Sequence, residues 1–353
     1  MKQFTSVVSL ISIAIFMGFW GCSEEIETTA PLIVQEVSID TLEVFTSFED
    51  HNIAQPTSVE ILENGHIAVV DYGQKEINIL SSAGEKLAAF GREGKGPGEF
   101  IGIRDVFETG DILNVVDASQ KTISRFDHDG NLAGSYIFES TSLFNEIALI
   151  EDSIYVATTG GLDSTMFAVT DLKNDSTFNF GIPKGESFES VDFQASASQL
   201  KSGEIPNLVK NMATLRSNGT HIYAYLNSYS ELRKYDRSGQ LLWEKPIDLP
   251  YNEEIFNNVV ELAKNRPGNT IPAFNYIRGL KIIGDEVFIL TSRITADDPQ
   301  LLVRISGSGN ITHMITLPEN TGLLSDFDIS ASDNLIYLAS SQDGFVYKTD
   351  FSL

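Results

Sequence analysis

The stretch Asn64-Gly65-His66-Ile67-Ala68-Val69-Val70-Asp71 decides the fold. A turn-forming Asn-Gly pair leads into a run of apolar, largely β-branched residues that stops at an acid. Such residues favour the extended, pleated chain, and the turn in front marks where a strand begins. The pattern returns at Gly110–Asp117, Asp152–Ala157, Asn218–Tyr225, Gly284–Leu290 and Asp333–Leu338. Each copy is introduced by Gly, Asn or Asp and is rich in β-branched or aromatic side chains. A unit that recurs is the first thing to settle in a chain of this length.

Working outward, each copy is followed by a second strand and, in most units, by a tight turn and a third. Ile123-Ser124-Arg125-Phe126, the turn Asp127-His128-Asp129-Gly130-Asn131, and Leu132 onward show this most plainly. Leu232–Tyr235, Asp236–Gly239 and Gln240–Trp243 repeat it. With the strand that precedes each copy, every unit has four strands, spaced about 40–65 residues apart, as propeller blades are. The last unit ends one strand short, and the apolar stretch from Ile33 to Val44 is expected to supply its outer strand, removing the open edges. The expected fold is all-β: a six-bladed β-propeller with four-stranded antiparallel blades, one domain over residues 33–353, closed by an N-terminal strand. Two long inserts interrupt it, about Gly181 to Asn211 and about Tyr251 to Thr270. In the second, Ile255, Phe256, Val259, Val260, Leu262 and Ala263 have helical spacing and Pro267-Gly268 ends the run, so one short helical insertion is expected.

Residues 1–21 read as an export signal. Lys2 supplies the positive start, and Val7 to Trp20 form an apolar run of about 14 residues, short of the roughly 20 that span a bilayer. Phe19-Trp20-Gly21-Cys22 resembles a lipobox, with bulkier residues than usual before the glycine; the alternative is an ordinary secretory peptide with an incidental cysteine. Cys22 is the only cysteine, so a mature chain holds no internal disulfide and relies on packing. Residues 22–32, opening Ser23-Glu24-Glu25 after the cysteine, read as an acidic tether. They resemble the export signal of surface-exposed lipoproteins in Bacteroidetes-type bacteria, or serve only as a solvated linker. The expected address is the cell envelope, as an outer-membrane lipoprotein held through its lipid. The formal net charge is −25, and loss of the leader makes it one unit more negative. Nucleic acid and anionic headgroups repel such a polyanion, which excludes a nucleic-acid partner.

The loop Phe90-Gly91-Arg92-Glu93-Gly94-Lys95-Gly96-Pro97-Gly98-Glu99-Phe100 joins the first blade to the second. With the strand pattern before it, it resembles the NHL-type repeat and is similar to the TolB-like, six-bladed propeller lipoproteins of Bacteroidetes. The likeness covers roughly residues 33 to 353, though the full loop occurs once. It implies the fold and the anchor; members of that group mostly lack an assigned activity. The loop leads into a strand, not a helix, so it offers no helix N-terminus to a phosphate, and its glycines fit a tight turn with positive φ.

Both inserts and this loop connect an outer strand to the next inner strand, so they are expected to crown one face, the side where repeat proteins bind. Arg104 lies 13 positions before Asp117, and Arg278 lies 13 before Thr291, the equivalent place in the fifth unit. Second and fifth blades oppose each other in a six-fold ring. These arginines are therefore expected to face across the upper channel and receive a carboxylate or other small anion, or else to bond local acids and carbonyls. Arg92, Lys95 and Glu99 complete the candidate binding set. No catalytic constellation, metal-ligand spacing or cofactor motif stands out. Asp127–Asn131 lacks the final acid of a calcium loop. The leading expectation is a binding or scaffold module for a small ligand or envelope protein. The alternative is a metal-assisted hydrolase or lyase, lactonase-like, for which Asp71, Asp117 and Glu99 would have to converge around a divalent cation. A purely structural spacer is the third.

Overall fold

Both alternating sets of side chains in Ile67–Asp71 are buried, which is why that strand reads as a continuous apolar run. Ala68 and Val70 pack toward the second blade against Val106, Leu113 and Val115, while Ile67 and Val69 pack toward the sixth against Tyr337, Ala339 and Val346. Each of the other four blade boundaries has an apolar cluster of its own. Fully burying one such side chain contributes about 1.5–3 kcal/mol. A solvent-exposed ion pair adds about 0–1. The boundaries, not the rim charges, hold the ring.

The protein, seen in a computed structural model, is described over residues 33–140, 146–269, 271–272, 274–319 and 321–351. Residues 33–353 form one compact unit. It is a six-bladed β-propeller, with blades at 56–90, 103–137, 147–180, 213–246, 277–316 and 324–350. Within each, four strands run antiparallel from the channel outward. Burial falls off in the same direction: the outer strands Leu132–Ile137 and Leu241–Pro246 alternate exposed and half-buried residues.

Closure differs from the sequence expectation in one respect. The strand that completes the sixth blade is Glu43–Thr46, antiparallel to Phe345–Asp350, at the far end of the expected stretch. The earlier strand Gln35–Ser38 adds instead to the outer edge of the fifth blade, parallel to Ile311–Thr316, making that sheet five-stranded. Val37, Ile39 and Leu42 pack onto the cluster between the fifth and sixth blades, so one apolar segment serves both sheets.

The expectation of a single helical insert is also corrected. The second insert forms the helix Asn252–Asn265, and the first forms another, Phe193–Lys201. The latter is rich in Ser and Gln and carries little apolar periodicity; its start is set by Asp192, whose carboxylate accepts from the amides of Gln194 and Ala195. A four-residue helix, Phe48–His51, sits in the link into the first blade. Leu200 and Val209 of the first insert pack with Val259, Val260 and Ala263 of the second in a seventh cluster, the crown. Buried Asn211 pins the first insert, accepting from the amides of Lys184 and Gly185 and donating to the carbonyls of Gly160 and Glu186.

Candidate functional site

Near the start of four inner strands the ladder to the next strand skips one residue. The skipped residues are Thr57, Arg104, Arg278 and Ser325, in the first, second, fifth and sixth blades. A bulge of this kind turns a side chain out of the alternating pattern, and bulges concentrate beside functional sites. All four bulged residues line one cavity of about 380 Å³ at the crowned mouth of the channel. The structure thus brings Arg104 and Arg278 to the same cavity from opposed blades.

Their states differ. Arg104 forms an ion pair with Glu146, whose side chain is almost wholly buried at the entry to the third blade. Among the described residues no carboxylate pairs with Arg278. Burial, with repulsion from the Arg293 guanidinium second, draws its pKa below the ordinary value. A guanidinium stays charged in any protein setting, so Arg278 is a cation that an incoming anion would stabilise. Thr214, Asn227, Asn275 and Ser341 add hydroxyl and amide groups to the wall, and among the described residues no aromatic ring lines it. Gly279 keeps the wall open, since a Cβ there would lie 3.1 Å from Asp326 Oδ1 and 3.0 Å from the Phe327 ring.

Below the mouth, charged side chains cross the channel. Arg216 of the fourth blade donates to Asp105 of the second at 2.6 Å and to the Leu280 carbonyl at 2.8 Å. Lys281 of the fifth donates to Glu60 of the first at 2.6 Å and to the Val59 carbonyl at 3.1 Å, with Asp326 of the sixth at 3.9 Å. Asp326 also accepts from the Ser58 hydroxyl at 2.7 Å. Burial pushes the Glu60 pKa upward, against the attraction of Lys281. This waist divides the mouth from a second cavity of about 380 Å³ at the opposite end, and Arg216 lines both.

Sequence reasoning passed over Arg216, Lys281, Asp326, Asp105 and Glu146. A usable signal was present: Thr214-x-Arg216 and Asp326-x-Asp328 place polar residues at period two in strands that precede the apolar repeat. The remaining candidates lie elsewhere. Arg92 pairs with Glu99 at 2.7 Å, and Glu99 also accepts from the Gly96 amide at 2.8 Å, so the loop closes on itself. Gly91, at φ 93°, has the Phe100 ring 2.7 Å from where a Cβ would be, and Gly94 stands against Glu99 in the same way. Lys95 is exposed on this loop. Neither it nor Arg92 nor Glu99 lines the mouth cavity. Asp71 and Asp117, considered as converging acids, are each taken up by backbone amides: Ala54, Gln55 and Gly73 for the one, Ile101, Gly102, Ser119 and Gln120 for the other. Asp127 is bound by its own turn. Among the described residues no group of three or more His, Cys, Asp or Glu side chains is placed to hold a metal ion. Cys22 lies outside the described residues.

Residues 42–184 match the DUF5128 family, described as "6-bladed beta-propeller". No curated protein matches the sequence. Among solved structures the chain is similar to a putative exported protein from Bacteroides fragilis, at 11% identity and TM-score 0.52, over 90% of this chain and 98% of that one. It is similar also to the Pan2 WD40 domain of Neurospora crassa, at 11% identity and TM-score 0.51, over 90% and 100% of the two chains. A catalytically inactive virginiamycin B lyase from Staphylococcus aureus, solved with quinupristin, has 10% identity and TM-score 0.50, over 88% and 99%. At these identities the likeness is one of fold: the molecule is a six-bladed β-propeller.

Proposed function

We propose that this propeller is an envelope-anchored lipoprotein, held by lipid on Cys22, that binds a small carboxylate or similar anion at the crowned mouth of its channel. One observation carries the binding reading: bulges in opposed blades present two arginines to a single cavity, and Arg278 among them has no carboxylate partner among the described residues. In a chain of net charge −25, an arginine left uncompensated on a concave polar wall is a local exception with a chemical use. The leader and its terminal Gly21-Cys22 support the anchor.

The test is calorimetric titration of the purified full chain with acetate, succinate, a hexuronate and inorganic phosphate. At least one carboxylate is expected to bind saturably, and Arg278→Ala to weaken it roughly ten- to hundredfold, the worth of a charged hydrogen-bonded contact. Arg278→Lys should recover only part of that, because an ammonium lacks the fork. Binding unaffected by Arg278→Ala would remove the site from consideration. For the anchor, labelled palmitate is expected in the native chain and absent from Cys22→Ser; equal labelling of both would refute it.

A further inference from the structure

Beside the mouth, and separated from it by one thickness of chain, is a second pocket of about 270 Å³. Asn275 and Ile277 line the mouth, whereas Tyr276 between them lines this pocket; likewise Asn227 belongs to the mouth and Tyr229 to the pocket. Its wall needs both inserts: Ile205 comes from the first, and Asn252, Glu253 and Phe256 from the helix of the second.

The exposed lining of the pocket is mostly apolar and aromatic; besides Tyr229 and Glu253, four of its residues carry polar groups of two kinds. Ser228 and Ser230 are committed, donating to the carbonyls of Val209 at 2.8 Å and Ile247 at 2.6 Å. Tyr276 and Asn252 are not. Tyr276 is only 6% exposed, and its hydroxyl has no hydrogen-bond partner among the described residues, although it is not one of the fully buried orphan atoms. The Asn252 side-chain oxygen is buried and has no hydrogen-bond partner among the described residues. Native structures leave few buried polar atoms unsatisfied, and each that remains asks for a partner from outside the chain. Phe256 is held in place by stacking on Phe274, with ring centroids 5.6 Å apart, so the apolar wall is preformed.

We infer that this pocket is a binding site for one aromatic ring bearing a hydrogen-bond donor, a phenol or an indole, which lies against Phe256 and Tyr229 and bonds Asn252 Oδ1 and the Tyr276 hydroxyl. Its volume is just below the range of about 300–1,000 Å³ usual for drug-sized ligands, which fits a single ring system rather than a larger molecule. The inference is independent of the anion site: it uses other residues and another chemistry.

The test is ligand-observed NMR titration of the full chain with phenol, indole and toluene, the last matching phenol in shape without its donor. Phenol or indole is expected to bind saturably and toluene several-fold more weakly. Tyr276→Phe and Asn252→Ala should each weaken the donor-bearing ring about three- to tenfold, the worth of one neutral hydrogen bond, and leave toluene unchanged. Tyr276→Phe removes a single oxygen and should keep the fold, which its melting curve checks. Two sources of the ring are told apart by N-acetyltryptophanamide. Binding as tight as indole assigns the pocket to a side chain of a partner protein; exclusion assigns it to a free small molecule. Equal binding of phenol and toluene, or the absence of saturable binding by any ring at millimolar concentration, would overturn the inference. Neither outcome bears on Arg278.

Discussion

Replacing Lys281 by Met is expected to destabilise the protein by about 3–5 kcal/mol, the largest single loss anticipated outside the apolar boundaries. Lys281 is 7% exposed and is the cation shared by Glu60 and Asp326 at the waist. Removing one partner of a buried charge cluster leaves the others desolvated without compensation, which costs more than the intact pair ever contributed. The loss should also grow with pH. Glu60 has a folded pKa raised to about 8 from 4.5, chiefly by burial. Any stability tied to its protonated form is complete below the unfolded value and lost as pH climbs through the folded one. Without Lys281 the carboxylate that then forms loses the cation that pairs with it. Urea unfolding of wild type and Lys281→Met at pH 6 and pH 9 measures both effects. A loss under about 1 kcal/mol would mean that water already solvates the waist.

Asp117→Ala is expected to cost about 3 kcal/mol, for a different reason. The Asp117 carboxylate accepts from the amides of Ile101 and Gly102 in the incoming link and of Ser119 and Gln120 in its own turn. It staples one blade's entry to its second strand. Without it several shielded amides lose a charged partner, each worth about 1–3 kcal/mol before relaxation and water entry. Burial works to raise the Asp117 pKa, but the hydrogen bonds from the Gln120 side chain and these amides outweigh it, so the net shift is downward from 3.8. A depressed carboxylate contributes above its unfolded pKa and loses that contribution as pH falls through the folded value. The gap between wild type and Asp117→Ala in denaturant midpoint should therefore narrow below about pH 3.8. A gap that stays constant down to acid pH would contradict the staple. Thr291 holds the equivalent place in the fifth blade with a single hydroxyl, accepting from the Leu301 amide at 3.0 Å, and its loss should be milder.

The two sites were legible to different degrees. Arg104 and Arg278 announced themselves because both lie the same distance before the end of a repeated strand, a regularity that survives without coordinates. What made them converge did not: a bulge is one residue of slippage in a ladder, and the sequence of Ile103–Thr109 carries no mark of it. Lys281 and Glu60 are more than 200 positions apart and meet only because the ring closes. The pocket around Tyr276 needed two inserts packed on each other, and the polar sequence of Phe193–Lys201 concealed even that a helix was there.

The amino-acid sequence alone determined that this protein is a ring of similar sheets, because a strand buried on both faces must be apolar along its whole length, and six such strands behind six turns leave little else to build. It determined the overall acidity and the position of the lone cysteine, Cys22, in the same direct way. Only the tertiary structure decided which charges oppose one another, which stay unpaired and where the crown leaves a gap. Those properties belong to distances between strands far apart in the chain, and hydrophobic periodicity, a local quantity, holds no record of them.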